Sequence, residues 1–306
     1  MIFIGGLGRS GTTLLERLLG EIPGVIALGE VVHLWARGVI DDEPCGCGEP
    51  FSECSFWHKV GARAFGGWRA RQAESQLDLR ARVDRTRRLP LFLLGMISRE
   101  AHLATYVSTY ARVYTAATEI ADGRTVVDSS KHASLAYCLA SILDLHVVHV
   151  IRDPRAVAAS WRQMVRRPED GHYMARWSPW RTALHWMVQN LAFELLSMRG
   201  VRVTRVRYED LVADPETTLR DLAAALRLPS SPEALSFVEE GHAQLGVAHT
   251  VSGNPMRFAL GRVAITDHPA DLAAAQRRLV TALTLPLLLR YGYRIACQRS
   301  SPCTRP

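Results

Sequence analysis

The sequence predicts an α/β fold in three layers, α/β/α, with a mostly parallel central sheet. Three observations predict it. Short apolar runs at residues 2–4, 24–28, 125–127, 146–151 and 201–206 read as strands, and they alternate with stretches of helical spacing. The first run leads through Gly6-Leu7-Gly8-Arg9-Ser10-Gly11-Thr12-Thr13 into a helix over residues 12–20, a layout that aims backbone N–H groups and a positive helix end at an anion. The unusual polar residues, at 9–13, Glu30, 129–132 and Arg152, fall at strand ends, where parallel sheets bind their ligands. Gly6 to Gly11 fits G-x-x-x-x-G, but Thr12 stands where a P-loop nucleotide triphosphatase has lysine, so the loop is P-loop-like without that cation.

Each later element has its own signal. Residues 44–67 are rich in turn formers, and residues 68–120 have helical spacing with no strand pattern. Together they read as a turn-rich and helical insertion at about 44–120 in a single domain spanning 1–306. Its arginine-rich stretch (Arg80, Arg82, Arg85, Arg87, Arg88), broken by Pro90, reads as a solvated basic helix. The strand at 125–127 ends at Asp128, with Ser129, Ser130, Lys131 and His132 beyond it. Asp153-Pro154 places an N-cap and a first-turn proline after the strand at 146–151, and Asp214-Pro215 and Ser231-Pro232 repeat that signature before two further helices. No internal repeat or low-complexity segment interrupts the pattern.

Composition narrows the function. A chain of 306 residues with 48% hydrophobic and 22% charged content is ordinary for a globular protein. No apolar run reaches the roughly 20 residues that span a bilayer, and the N-terminal apolar stretch ends at once in the glycine turn, so a cytoplasmic protein is expected. Of 37 Lys plus Arg residues only Lys59 and Lys131 are lysines, and the net charge of +7 is spread along the chain. No basic tail or aromatic-basic ladder points to nucleic acid, whereas a modest positive bias suits a polyanionic small cofactor. Cys45, Cys47 and Cys54, with His58 four residues on, contain the donor types of a structural zinc site. Their C-x-C-x6-C spacing is not a usual knuckle, so the preferred reading is a tight turn with free thiols or a disulfide, and no metal is expected.

Four separated segments resemble sulfotransferases that use PAPS (3′-phosphoadenosine 5′-phosphosulfate). Gly8-Arg9-Ser10-Gly11-Thr12-Thr13-Leu14-Leu15 looks like their 5′-phosphosulfate loop. The run from Val148 through Arg152-Asp153-Pro154 to Ser160 looks like their 3′-phosphate motif. Arg207-Tyr208-Glu209-Asp210-Leu211 with Asp214-Pro215 is similar to their Y-E-D-L…D-P segment, and Gly253-Asn254-Pro255-Met256-Arg257 to the late loop that closes over the nucleotide. The resemblance implies binding roles for Arg9, Ser10, Gly11, Thr12 and Thr13 at the 5′ end and for Arg152, Ser160 and Arg257 at the 3′-phosphate. It places Tyr208 beside adenine, and its other reading is a core aromatic.

PAPS carries two anionic groups some distance apart. A guanidinium at Arg152 can fork onto the second, which distinguishes this donor from ATP. Arg9 brings charge near the bridging oxygen, and Lys131, a lysine in an arginine-using chain, offers a compact ammonium to the transferring sulfuryl oxygens. The acceptor hydroxyl needs a base: Glu30 is the first candidate, with His132 and His33 as alternatives. The expected reaction moves a sulfuryl group from PAPS to a hydroxyl of a small molecule, glycan or lipid, releases PAP and requires no metal. Trp161, Tyr173, Trp177, Trp180 and Trp186 either line an acceptor pocket or serve in the core or a dimer contact. The alternatives are a nucleotide-dependent kinase or NTPase, disfavoured by Thr12 and by a strand ending in Arg152, and a non-catalytic PAP or PAPS binder.

Overall fold

Strands Ile2–Gly5 (β1), Val25–Ala27 (β2), Thr125–Lys131 (β3), His146–Ile151 (β4) and Arg202–Arg207 (β5) form one sheet in the order β2-β3-β1-β4-β5, every pair parallel. The computed structural model describes residues 1–94, 96, 101–166, 171–267 and 271–295. Period-two alternation sends successive side chains to opposite faces, and both faces are covered. Ile2, Ile4, Val127, Val148 and Val150 face helices Thr12–Gly20 (α1) and Pro215–Ala225 (α10). Phe3, Val126 and Val147 face the opposite layer, which includes helices Ala101–Ile120 (α5), Ala133–Ala140 (α6) and Pro179–Met198 (α8). A parallel sheet with two helical layers results, as the sequence predicts.

Residues 55–93 supply helices Ser55–Phe65 (α2), Ala70–Val83 (α3) and Leu89–Leu93 (α4), and one apolar cluster joins them to the sheet through Trp35, Trp57, Val60 and Leu79. Helix α2 corrects the turn-rich reading of 44–67. Its glycine is a packing requirement, because a Cβ at Gly61 would collide with the Trp68 indole, and Phe56, Trp57, Val60 and Ala64 bury one face. The reading of 68–120 as helical holds over α3, α4 and α5, while residues 95 and 97–100 lie outside the described residues. Arg82, Arg85 and Arg87 are exposed, but Arg80 turns inward and donates to the Val32 carbonyl at 3.2 Å.

After β4, Asp153 caps helix Pro154–Arg162 (α7), accepting from the Arg155 N–H at 2.8 Å. Helix Tyr208–Ala213 (α9) follows β5 directly, and Asp214 caps α10 by accepting from Thr217. Ser231-Pro232 makes only a turn, with Ser231 Oγ accepting from the Ala234 N–H at 3.3 Å. The chain then enters a small antiparallel sheet that the sequence did not announce: Val238–Glu239 (β6), His242–Leu245 (β7) and Gly261–Ala264 (β8). Helix Ala274–Arg290 (α11) packs on α7 and α8. No helix among the described residues is long and apolar enough to cross a membrane.

Candidate functional site

The carboxyl ends of β1, β2, β3 and β4 meet at one edge. Strand β3 runs three residues past Asp128, a correction to its expected end, because its polar tail is buried and hydrogen-bonded. Asp128 accepts from Tyr114 Oη at 2.6 Å and from the Ser130 N–H at 2.7 Å, and Ser130 Oγ accepts from the Val32 N–H at 2.9 Å. The register slips between Phe3 and Gly5, which pairs Gly5 with Lys131, and the Gly6 N–H donates to the Lys131 carbonyl at 3.1 Å. Lys131 (φ 70°) and Arg9 (φ 74°) both occupy the left-handed region. Side chains other than glycine incur roughly 1–2 kcal/mol there, and such strain concentrates at functional sites.

Lys131 Nζ donates to Glu30 Oε1, and both side chains are largely buried. Burial alone would raise the Glu30 carboxyl. The Lys131 ammonium outweighs that and holds it at about 2. His33 Nε2 lies 3.6 Å from Glu30 Oε2, too far for a hydrogen bond. Burial brings His33 down to about 3 and lowers His132 as well, so both imidazoles are neutral at pH 7. The three candidate bases thus share one corner, with Glu30 in contact with the cation.

Sequence reasoning missed the residue that holds this corner together. Glu16, a lone acid in the apolar helix α1, accepts from the Gly29 N–H at 2.5 Å and from Ser129 Oγ at 2.7 Å. It ties α1 to the residues just before Glu30 and Lys131. The only signal was a Glu16-Arg17 pair inside a helix whose other side chains are nearly all apolar and buried. Burial pushes Glu16 up to about 7 and Asp128 to about 6. Carboxyls with raised folded-state pKa values stabilise the fold below the ordinary carboxyl range, and that contribution is lost as pH climbs through about 6 and about 7. Glu16→Gln can still accept from the Gly29 N–H and can donate to Ser129 Oγ, without charge. Unfolding by urea across pH 4.5–7.5 should therefore decline less steeply in Glu16→Gln, by roughly 2–3 kcal/mol over the range. An unchanged slope would assign the decline to other groups.

On the other side of β1, Arg152 donates to the Arg9 carbonyl at 3.0 Å and to Asp267 Oδ1 at 2.6 Å. Its guanidinium lies 4.3 Å from the Tyr208 ring centroid. Tyr208 in turn covers Gly11, so a Cβ at Gly11 would collide with the ring. Gly11 also has φ 89° and is the N-cap of α1 with no side-chain cap, leaving the first-turn N–H groups of a nine-residue helix to other partners. Gly11→Ala is expected to cost about 2 kcal/mol or more, read as a lower urea midpoint. An unchanged midpoint would mean that the ring moves freely. Trp161 donates to the Gly8 carbonyl at 2.9 Å and stacks on Trp177 at 3.9 Å, while the Arg9 guanidinium lies 5.7 Å from the Trp161 ring. The anion loop is thereby wedged between α1 and α7.

The family model described as Sulfotransferase family matches residues 2–232, a span that contains the loop, Glu30, Lys131, Arg152 and Tyr208. The chain belongs to the sulfotransferase family. Among solved structures it is similar to the sulfotransferase domain from the curacin biosynthetic pathway, at 19% identity, 93% of this chain and 97% of that one, with TM-score 0.48. It is also similar to the sulfotransferase domain from the Synechococcus PCC 7002 olefin synthase, at 18% identity, 92% and 93% coverage and TM-score 0.45. Sulfotransferase STF1 from Mycobacterium tuberculosis H37Rv matches at 20% identity, 77% of this chain and 69% of that one, with TM-score 0.44. No curated protein matches the sequence.

In this sulfotransferase the expected residues separate into two sets. Arg9, Ser10, Gly11, Thr12, Thr13, Arg152 and Tyr208 form one connected unit, and Glu30 and Lys131 pair beside it. Ser160 is half-buried on α7. Arg257 lies in the one-turn helix Pro255–Phe258. It is fully buried and donates to the Thr250 carbonyl at 3.0 Å and the Pro44 carbonyl at 2.8 Å, which makes it a tie between two loops. Tyr208 is a core aromatic at 7% exposure, and Glu209 accepts from the Asp153 N–H and from Tyr293 Oη, both at 2.8 Å, bracing the start of α7. Of the candidate acceptor aromatics, Trp186 is buried and donates to the Arg152 carbonyl at 3.0 Å, whereas Tyr173 and Trp180 are exposed.

Proposed function

We propose that the protein transfers a sulfuryl group from PAPS to a hydroxyl of a small molecule, glycan or lipid, releasing PAP, and that it acts in the cytoplasm. One observation carries the reading: Arg152 is joined to the anion loop, through the Arg9 carbonyl and through Tyr208 packed on Gly11. Two anion grips built as one unit suit a donor with a 5′-phosphosulfate and a separate 3′-phosphate.

The uncapped N–H groups at the start of α1, with the Thr12 and Thr13 hydroxyls, would hold the 5′ end, and Arg9 would offset charge developing on the bridging oxygen. Arg152 would exchange the half-exposed Asp267 for the 3′-phosphate, with Ser160 adding a hydroxyl. Lys131 would turn from Glu30 to the sulfuryl oxygens. Glu30 would take the acceptor proton as the new oxygen–sulfur bond forms and the sulfur–phosphate oxygen bond breaks. The test is incubation with radiolabelled PAPS and, in parallel, γ-labelled ATP, against phenols, saccharides and lipid alcohols. Label passing from PAPS to at least one hydroxyl class is expected. Label passing only from ATP would replace this reading with phosphoryl transfer.

A further inference from the structure

Cys45, Cys47, Cys54 and His249 come together where no part of the proposed reaction uses them. One donor atom from each lies within 4.8 Å of every other. The fourth partner is His249, about two hundred residues from the cysteines, and not His58, which is exposed on α2. We propose that these four side chains bind a structural zinc ion.

The geometry suits that ion. Four donors around tetrahedral zinc, with zinc–sulfur near 2.3 Å and zinc–nitrogen near 2.0–2.1 Å, stand about 3.8 Å apart for two sulfurs and about 3.5 Å for sulfur and nitrogen. The Cys47 and Cys54 sulfurs are 3.8 Å apart, and His249 Nδ1 lies 3.3 Å from Cys54 Sγ and 4.0 Å from Cys45 Sγ. Three thiolates and one imidazole form a closed, soft donor set with no fourth position left for water, as in structural sites. A Cys47–Cys54 disulfide would need the sulfurs near 2.05 Å and would leave Cys45 and His249 without a role.

The surroundings fix the donors. The Cys45 N–H donates to the Glu49 carbonyl and the Gly48 N–H to the Cys45 carbonyl, both at 2.8 Å, closing a tight turn. Gly46 lies so close to the 248–250 loop that a Cβ there would strike Thr250 Oγ1. The His249 ring stacks on Phe56 (5.2 Å, 18°), and its carbonyl accepts from Trp57 Nε1 at 3.0 Å. Such outer contacts hold an imidazole in its ligating orientation.

The position gives the ion a task. The loop after His249 supplies Val251, whose carbonyl accepts from the Glu30 N–H at 2.8 Å. A zinc clip would therefore fasten the start of the insertion to the wall behind Glu30 across a long loop, without touching the reacting atoms.

The test is elemental analysis of the full chain, purified under reducing conditions without chelator, with cobalt substitution of the same protein. About one zinc per chain is expected, and cobalt should give thiolate-to-metal charge transfer with tetrahedral d–d bands. Cys47→Ser/Cys54→Ser should hold less than about a tenth of an equivalent, and His249→Cys, which keeps four donors, should retain the metal. Should the double variant not fold, the cobalt spectrum of the wild type decides by itself. A wild type that neither carries zinc nor takes up zinc or cobalt, or a Cys47–Cys54 disulfide found in the reduced preparation, would overturn the proposal.

Discussion

Arg152→Ala is expected to weaken PAP binding by at least about a hundredfold, the loss of a bidentate charge-assisted contact worth roughly 3 kcal/mol. Three features make the effect large. The guanidinium is only 9% exposed, so a phosphate there is poorly screened by water. It is pinned by the Arg9 carbonyl and the Tyr208 ring, so little rotamer entropy remains to be lost on binding. Its removal also frees the Arg9 carbonyl and loosens the 5′ loop. Asp267→Asn separates these contributions. It removes the carboxylate that shares Arg152 while leaving the cation in place, and PAP should bind as tightly or more tightly. Equal weakening by both substitutions would mean that the Arg152–Asp267 pair matters for folding and not for the nucleotide.

The second large effect concerns turnover. Glu30→Gln and Lys131→Ala should each lower kcat by about 10²–10⁴, the range for losing a general base or a charge stabiliser, with PAP affinity held within about tenfold. Lys131→Ala also strands a buried carboxylate, which costs about 3–5 kcal/mol when one partner of a buried pair is removed. The double variant Glu30→Gln/Lys131→Met, which buries no unpaired charge, is therefore the cleaner protein for the binding control. The pH dependence follows from the same pair. In the free protein Lys131 keeps Glu30 ionised down to about 2, so its stabilising contribution is present above the ordinary carboxyl range and lost as pH falls toward 2. Once Lys131 turns to the donor, Glu30 loses its counter-charge and becomes a stronger base, so the acidic limb of kcat should lie well above pH 2. Wild-type rates from both variants would remove Glu30 and Lys131 from the chemistry.

The sheet was legible because buried parallel strands leave a plain mark: the β-branched run of β4 stands at 146–151 in sequence and structure alike. Strand β3 outruns its sequence signal because Asp128, Ser129 and Ser130 look like a loop, and only the fold brings Tyr114, Val32 and Glu16 to satisfy them. Long-range partners were not legible. Nothing local ties Arg257 to Pro44 or His249 to Cys54, and His58 is the imidazole nearer to the cysteines in sequence. The resemblance gives Gly11 one role, at the 5′ end of the donor. Its second reason, the Tyr208 ring above it, is visible only in three dimensions.

Titration calorimetry of the full chain with PAP and, separately, with ATP plus magnesium tests the two-anion donor site most directly. Tight binding of PAP with little or none of ATP is the predicted result. Preference for ATP would contradict the account, since it would mean that the loop at 6–13 serves a triphosphate and that Arg152 grips no second phosphate.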